Sequence, residues 1–221
     1  MYQLDLYTVI ATITLALWVV FVTSILTKKL YEYMVSRNIP HNVAVYYNRK
    51  IIHIAAAGLV AFLTPYIYRD PLIPFAMGLF FGLVTYLPRR MNKLMYWFQV
   101  PENAYEVHFT IFWGLSILLV YLFTGNMSLA VLPAIFVSVG DGVTGIVRNA
   151  LYKRRVKSWY GNIAMVATIA PIGYIFAGLG GLVAGIVASL VEKIENLDDN
   201  ITIPLVTVAI LFIWRILFIG T

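Results

Sequence analysis

The chain of 221 residues contains no cysteine and only three histidines. Disulfides, thiolate nucleophiles and cysteine-based metal sites are excluded, and so few imidazoles do not build a dedicated zinc site. Charge is also scarce: 12% of the residues are Asp, Glu, Lys or Arg, while 61% are hydrophobic. A soluble domain carries roughly 25% charged residues, so this chain has too little charge to coat a globular surface. Soluble enzyme classes fall away as descriptions of the whole chain. It reads as an all-α, polytopic bundle of membrane helices forming one integral domain over residues 1–221. The charge that remains is unbalanced, with 16 basic against 10 acidic residues and a net charge of +6. In a membrane protein such an excess reports topology and not a nucleic-acid partner.

About 20 mostly apolar residues are needed to cross the hydrocarbon as a helix. Runs of that kind predict spans at 6–27, 51–68, 71–87, 108–124, 127–147, 161–177 and 201–219. The first has no basic stretch before it and exceeds the apolar core of a signal peptide, so it reads as a retained helix. After the break Gly178-Leu179-Gly180-Gly181, the run 179–191 is short for a crossing. If it crosses there are eight spans, and if not there are seven. In the eight-span arrangement one face receives the connections 28–50, 88–107, 148–160 and 192–200. These hold 14 of the 16 basic residues, leaving Arg69 and Arg215. That makes the face cytoplasmic and puts both termini on the opposite side. The seven-span arrangement moves only 192–200. Within the short run, Gly181, Gly185 and Ser189 recur every four residues, a pattern that serves either close helix packing or the lining of a groove. The connections 28–48 and 89–99 mix aromatic with basic residues and are expected to lie as amphipathic helices among the headgroups, as anchors or as a gate for lipid.

Isolated polar groups in apolar surroundings are costly and point to function. Four clusters qualify. In Asn48-Arg49-Lys50-Ile51-Ile52-His53, Arg49 and His53 are one turn apart on one helix face, where both can donate to a phosphate. In Ser138-Val139-Gly140-Asp141-Gly142-Val143-Thr144-Gly145, a carboxylate lies inside the fifth span. Asp141 must meet a cation there, either a basic side chain or Mg²⁺. The flanking Gly140, Gly142 and Gly145 leave room for a ligand to approach the backbone. The segment from Arg148 to Asn162 has five basic residues within ten positions. Its Lys157, Ser158, Gly161 and Asn162 open the sixth helix, whose N-terminal N–H groups suit a polyphosphate; contact with anionic lipid is the alternative. The segment 192–200 carries four of the ten acidic residues, Glu192, Glu195, Asp198 and Asp199. With Asn200 it reads either as a Mg²⁺ site or as a solvated acidic loop. With eight spans, all four clusters meet on the cytoplasmic face. Bases for phosphate, carboxylates for Mg²⁺ and an apolar body for a lipid alcohol together suit phosphoryl or nucleotidyl transfer at a membrane surface.

The order of these clusters resembles the polyprenol kinase family, which includes dolichol kinases, phytol kinases and CTP-dependent diacylglycerol kinases. The resemblance is carried by Arg49-Lys50-x-x-His53, by Gly140-Asp141-Gly142 with Gly145, by Lys157-Ser158-x-x-Gly161, and by Glu192 with Asp198-Asp199-Asn200-x-x-x-Pro204. It covers residues 48–204, between an N-terminal span with its connection (1–47) and the rest of the last span (205–221). It implies a kinase that transfers the γ-phosphate of CTP, with Mg²⁺, to a long-chain isoprenoid alcohol. Asp141, His53 and Arg49 would be catalytic. Lys50, Gly142, Gly145, Lys157, Ser158, Gly161 and Asn162 would hold the CTP phosphates. Asp141, Glu192, Asp198, Asp199 and Asn200 would hold the metal. The active site would face the cytoplasm, in the cell membrane of a prokaryote or the endoplasmic reticulum of a eukaryote. The chain departs from the family in Tyr160-Gly161-Asn162, where Glu-Gly-Ser is frequent, and in Lys153-Arg154-Arg155, where a second lysine sits in a glycine-rich loop. CDP-diglyceride synthases are more distant, and their His-Gly-Gly-x-x-Asp-Arg signature is absent. A cytidylyltransferase is thus the second enzyme reading, and a lipid or ion transporter the non-enzymatic one.

Overall fold

The computed structural model describes residues 5–153 and 156–218; Arg154 and Arg155 of the basic loop lie outside the described residues. The described chain is helical, and its only strand-like pairing is an isolated bridge between Val100 and Asn103. Seven helices among the described residues are long and apolar enough to span a membrane. They are α1 Leu6–Ser36, α2 His41–Ile67, α3 Leu72–Arg90, α4 Tyr105–Thr124, α5 Met127–Tyr152, α6 Trp159–Glu192 and α7 Asp199–Phe218. The protein is a multi-pass integral membrane protein.

Local chemistry sets the helix ends. The Asp5 carboxylate accepts from the Thr8 N–H at 2.7 Å and caps α1, and Asn126 Oδ1 accepts from the Ser128 N–H at 2.8 Å to cap α5. Gly125, at φ +62°, closes α4 in the left-handed conformation that glycine adopts without steric cost. Three stretches are wound as π-helix: 21–26 in α1, 52–58 in α2 and 136–140 in α5. Such widened turns loosen the backbone ladder, and indoles bond to two of them. Trp97 Nε1 donates to the Thr23 carbonyl and Trp18 Nε1 to the Ala55 carbonyl, both at 2.8 Å. The buried Asn48 amide donates to the carbonyls of Thr27 and Trp97, fixing α1, α2 and the 91–104 loop to one another.

α5 is the central helix, with 78% of its apolar window buried. Its Leu132, Ile135 and Phe136 are fully enclosed, beside Ile117 of α4, Met165 and Ile169 of α6, and Ile203 of α7.

One open question is resolved and one expectation is revised. The 34-residue α6 contains both the sixth and the short seventh apolar run, folded back on itself at Ala177 and Gly178. Gly178 takes φ +58° and ψ −142°, a conformation open in practice only to glycine. The two arms, 159–176 and 179–192, lie antiparallel and very close. A Cβ on Gly173 would stand 2.2 Å from the Gly181 carbonyl oxygen, and one on Gly185 would stand 3.0 Å from the Ala170 Cα. The four-residue repeat of small residues is therefore a packing stripe. At 1.5 Å per residue the return arm is about 21 Å long, short of the roughly 30 Å hydrocarbon thickness, so of the two counts the sequence left open the described residues show seven long helices. The arm nevertheless brings Glu192 back beside Lys157. The revision concerns 89–99, which is not an amphipathic helix. α3 ends at Arg90, and a turn-rich loop tucks Phe98 and Gln99 into the protein. The Gln99 side chain accepts from the Met95 N–H and donates to the Thr85 carbonyl and to Glu106, so the loop plugs the bundle.

This return path predicts relative sidedness. In the cysteine-free chain, single cysteines at Lys153 and Asn196 should react with an impermeant thiol reagent from one face of a sealed vesicle, and Ser128→Cys from the other. Labelling of the Asn196 and Ser128 positions from a common face would contradict the fold.

Candidate functional site

At one end of the bundle, α2, α5, α6 and α7 bring buried charges together. Lys50 Nζ donates to both Asp141 carboxylate oxygens at 2.7 Å. His53 stacks on the Phe109 ring, with centroids 3.7 Å apart. Its Nδ1 stands 3.2 Å from Asp141 Oδ2 but off the line of a good hydrogen bond. Arg148 forks onto Glu192 at 2.5 and 2.7 Å and also donates to Asn162 Oδ1 and the Ser158 carbonyl. Lys157 Nζ reaches both Asp199 oxygens at 2.6 and 2.7 Å and Glu192 at 3.0 Å. Each of these carboxylates is buried, and burial of an ion is tolerable only with partners this close.

Residues far apart in sequence thus form one centre, but several have other neighbours than the sequence implied. Gly142 and Gly145 do not leave backbone open to a nucleotide. A Cβ on Gly142 would meet the Ile54 side chain at 2.5 Å, and one on Gly145 would meet the Lys50 Cε at 2.2 Å. Gly145 is the channel through which the Lys50 stem reaches Asp141. Gly161 does the same for Arg148, whose Nε would lie 2.3 Å from an added Cβ. Asn162 is buried between Arg148 and Ser189, and Ser158 is buried with its carbonyl on Arg148. Lys157 lies among carboxylates. In this arrangement these six positions hold the bundle end together and present no phosphate cradle.

The proposed metal ligands divide. Asp141, Glu192 and Asp199 each offer an oxygen, and these atoms lie within 4.8 Å of one another. Three carboxylates are a suitable donor set for a hard divalent cation such as Mg²⁺, which would compete there with Lys50 and Lys157. Asp198 points elsewhere. Its Oδ2 lies 2.5 Å from His108 Nδ1, while its Oδ1 accepts from the Asn200 backbone and side chain at the start of α7. Asp198 and Asn200 still line the same polar cavity as Asp141 and Asp199.

That cavity, about 110 Å³, is walled by Arg49, Lys50 and His53 of α2, by Asp141, and by Asp198 to Asn200, with Tyr46, Asn103 and Tyr105 completing it. Arg49 donates to Asn103 Oδ1 at 3.3 Å and lies over the Tyr105 ring. A second, apolar cavity of about 230 Å³ runs between α1, α2, α3 and α4, and Arg49 and His53 line it too. These two side chains form a shared wall of the two spaces.

Sequence reasoning missed Glu106. It is buried at the start of α4, accepts from Arg89 at 2.8 Å and Gln99 at 2.9 Å, and stands 3.7 Å from Arg49. Its signal was present: an acidic residue entering an otherwise apolar helix. Tyr46, Asn103 and Tyr105 gave none, since each reads as an ordinary interfacial residue.

The chain matches no protein-family model, no curated protein and no solved structure.

The Arg148–Glu192 fork carries a stability prediction. Glu192→Ala leaves the buried Arg148 without a carboxylate, and Arg148→Ala leaves Glu192 with only the Lys157 that Asp199 shares; each should cost about 3–5 kcal/mol. The double variant should lose clearly less than the sum of the two singles. Thermal unfolding of the purified protein in detergent measures both; additive losses would show that the pair is not coupled.

Proposed function

We propose that the protein is a membrane-embedded lipid kinase that transfers the γ-phosphate of CTP to a long-chain isoprenoid alcohol, with its site on the cytoplasmic face. One observation carries this reading. A small polar cavity lined by cations and carboxylates shares Arg49 and His53 with a larger apolar cavity. Such a junction suits a substrate with a polar head and an apolar tail, held so that the head meets charged groups. The four motifs that resemble polyprenol kinases name the nucleotide and the alcohol, and the basic residues that face one side of the bundle support the cytoplasmic orientation.

The roles follow from the geometry. Arg49, on the wall of both cavities, is a charge-assisted donor for a phosphate oxygen. With His53 Nδ1 turned to Asp141, Nε2 is the ring atom left to take the proton of the lipid hydroxyl. Phe109 stacked on the ring fixes its plane. Lys50, on the wall of the polar cavity, and Lys157, behind it, offset the charge of the three carboxylates. Asp141, Glu192 and Asp199 would hold Mg²⁺, which when bound neutralises charge on the transferred phosphate.

The test is to incubate the purified protein with Mg²⁺, an isoprenoid alcohol and CTP labelled at either the α- or the γ-phosphate. Label moving to the lipid from the γ-position supports the kinase. Label from the α-position with pyrophosphate release would instead make it a cytidylyltransferase, and no transfer would favour transport without chemistry. Asp141→Asn should lower turnover by about a hundredfold or more, while the variant still elutes as a folded species. Wild-type turnover in that variant would remove Asp141 from the site.

A further inference from the structure

The apolar cavity has a built shape. α1 lines it from Thr12 to Ser24 and α2 from Arg49 to Tyr68, in each case with residues three and four apart, which is one face of each helix. α3 and α4 close it in the same manner from Pro74 to Thr85 and from Glu106 to Trp113. Four helix faces border this space as a long cleft that is open along one side, where Val20 of α1 and Val84 of α3 are exposed. Alanines 16, 56 and 57 keep the bore wide. Between His53 and Tyr68 it extends over 15 residues of helix, about 22 Å at 1.5 Å per residue, or about two-thirds of the hydrocarbon thickness.

Its two ends differ in chemistry. Arg49, His53 and Glu106 stand at one end. At the other, Tyr68 ends α2 in an extended conformation, is almost wholly buried, and its hydroxyl lies 3.0 Å from Thr12 Oγ1. A tail whose hydroxyl sits at Arg49 and His53 therefore runs toward the Tyr68 ring.

We propose that this cavity encloses the tail of the lipid alcohol and that Tyr68, pinned by Thr12, sets the longest tail it accepts. The inference rests on the lipid-kinase reading for the identity of the alcohol. A tail that leaves the bilayer for this cavity exchanges one apolar medium for another, so hydrophobic burial contributes little and fit decides. A tail that continues along the cleft past its end has to displace the Tyr68 ring and break its bond to Thr12. In an apolar pocket a misfit of one methylene already costs tenfold or more.

The experiment measures binding without nucleotide. Tritiated farnesol is bound to the full-length protein in detergent micelles and displaced by unlabelled geraniol, farnesol, geranylgeraniol and a dolichol. Competition is expected to strengthen with length up to a limit and then to weaken by about tenfold at the first alcohol that is too long. Ala57→Phe, which narrows the bore midway, should move the limit to a shorter alcohol. Tyr68→Ala should move it to a longer one, and Tyr68→Phe, which keeps the ring but loses the hydroxyl that bonds to Thr12, should move it less far. No saturable farnesol binding, no limit, or a limit unmoved by both Ala57→Phe and Tyr68→Ala would overturn the proposal. Phosphate transfer from CTP, measured on the same preparations, separates the two readings. Transfer with an unmoved limit keeps the kinase and removes the tail seat. A moving limit without transfer keeps the seat and removes the kinase.

Discussion

Buried charge is the constraint on which the rest of this bundle depends. A carboxylate or ammonium withdrawn from water loses several kcal/mol of hydration even after the protein relaxes around it. Asp141, Glu192 and Asp199, with Lys50, Arg148 and Lys157, are all nearly out of solvent or close to it. None could remain there alone. Their mutual contacts therefore dictate that α2, α5, α6 and α7 meet at one end, and they dictate it more narrowly than apolar packing can, because an aliphatic side chain tolerates many neighbours. The glycines follow from the same demand. Gly145 and Gly161 are where the Lys50 and Arg148 stems must pass, and a methyl group at either position would occupy the path of the charge.

A second polar network lies apart from the first. Glu106 binds Arg89 and Gln99 and so ties α3, α4 and the 91–104 loop together. Arg49 stands between the two networks, 3.7 Å from Glu106 and on the wall of the polar cavity. The apolar cavity lies between α1 and α3, which pack on α2 and α4 respectively, α1 through Trp18 and Thr12 and α3 through Gly78 and Gly82. The widened turns help to shape the same region. Those of α2 and α5 face one another, with Gly58 against Val139 and Ser138, and they begin beside His53 and end at Asp141. Widened turns of this kind recur where a side chain has to be aimed against the regular helical rotation.

How much of this was legible in the sequence depends on the range of the interaction. Span positions follow from local hydropathy, and each of the seven helices lies on a run predicted to span. Their ends extend further because polar residues such as those of 28–36 and 41–50 continue a helix beyond its apolar part. The gathering of Arg49, Asp141, Lys157 and Glu192 at one end was legible from counting passages of the chain. Pairing was not. Lys50 meets Asp141 across 91 positions and Arg148 meets Glu192 across 44, and no periodicity encodes either choice. The glycines show the limit most clearly: the sequence reveals that a side chain is missing at 142, 145 and 161, but what fills the space is decided by another helix. Asp198 misled for a related reason. Beside Asp199 it read as a second metal ligand, yet consecutive residues at a helix start point in different directions, and it caps α7 while its neighbour faces Lys157.

The short return arm of α6 resolves a conflict between length and chemistry. Fourteen residues of helix cannot match the hydrocarbon thickness, and in lipid an early end would expose backbone that water cannot satisfy. The arm escapes that cost because it lies against the first arm, with glycines at the crossing and Ser189 hydroxyl donating to the Asn162 carbonyl. A full-length crossing would carry Glu192 further from the fold-back, out of register with Arg148 and Lys157. The arm's length is therefore fixed at the far end by the Ala177–Gly178 reversal and at the near end by the depth of the charges it must meet. Shortness, which made this run the least convincing span in the sequence, is what places its terminal carboxylate among the buried cations.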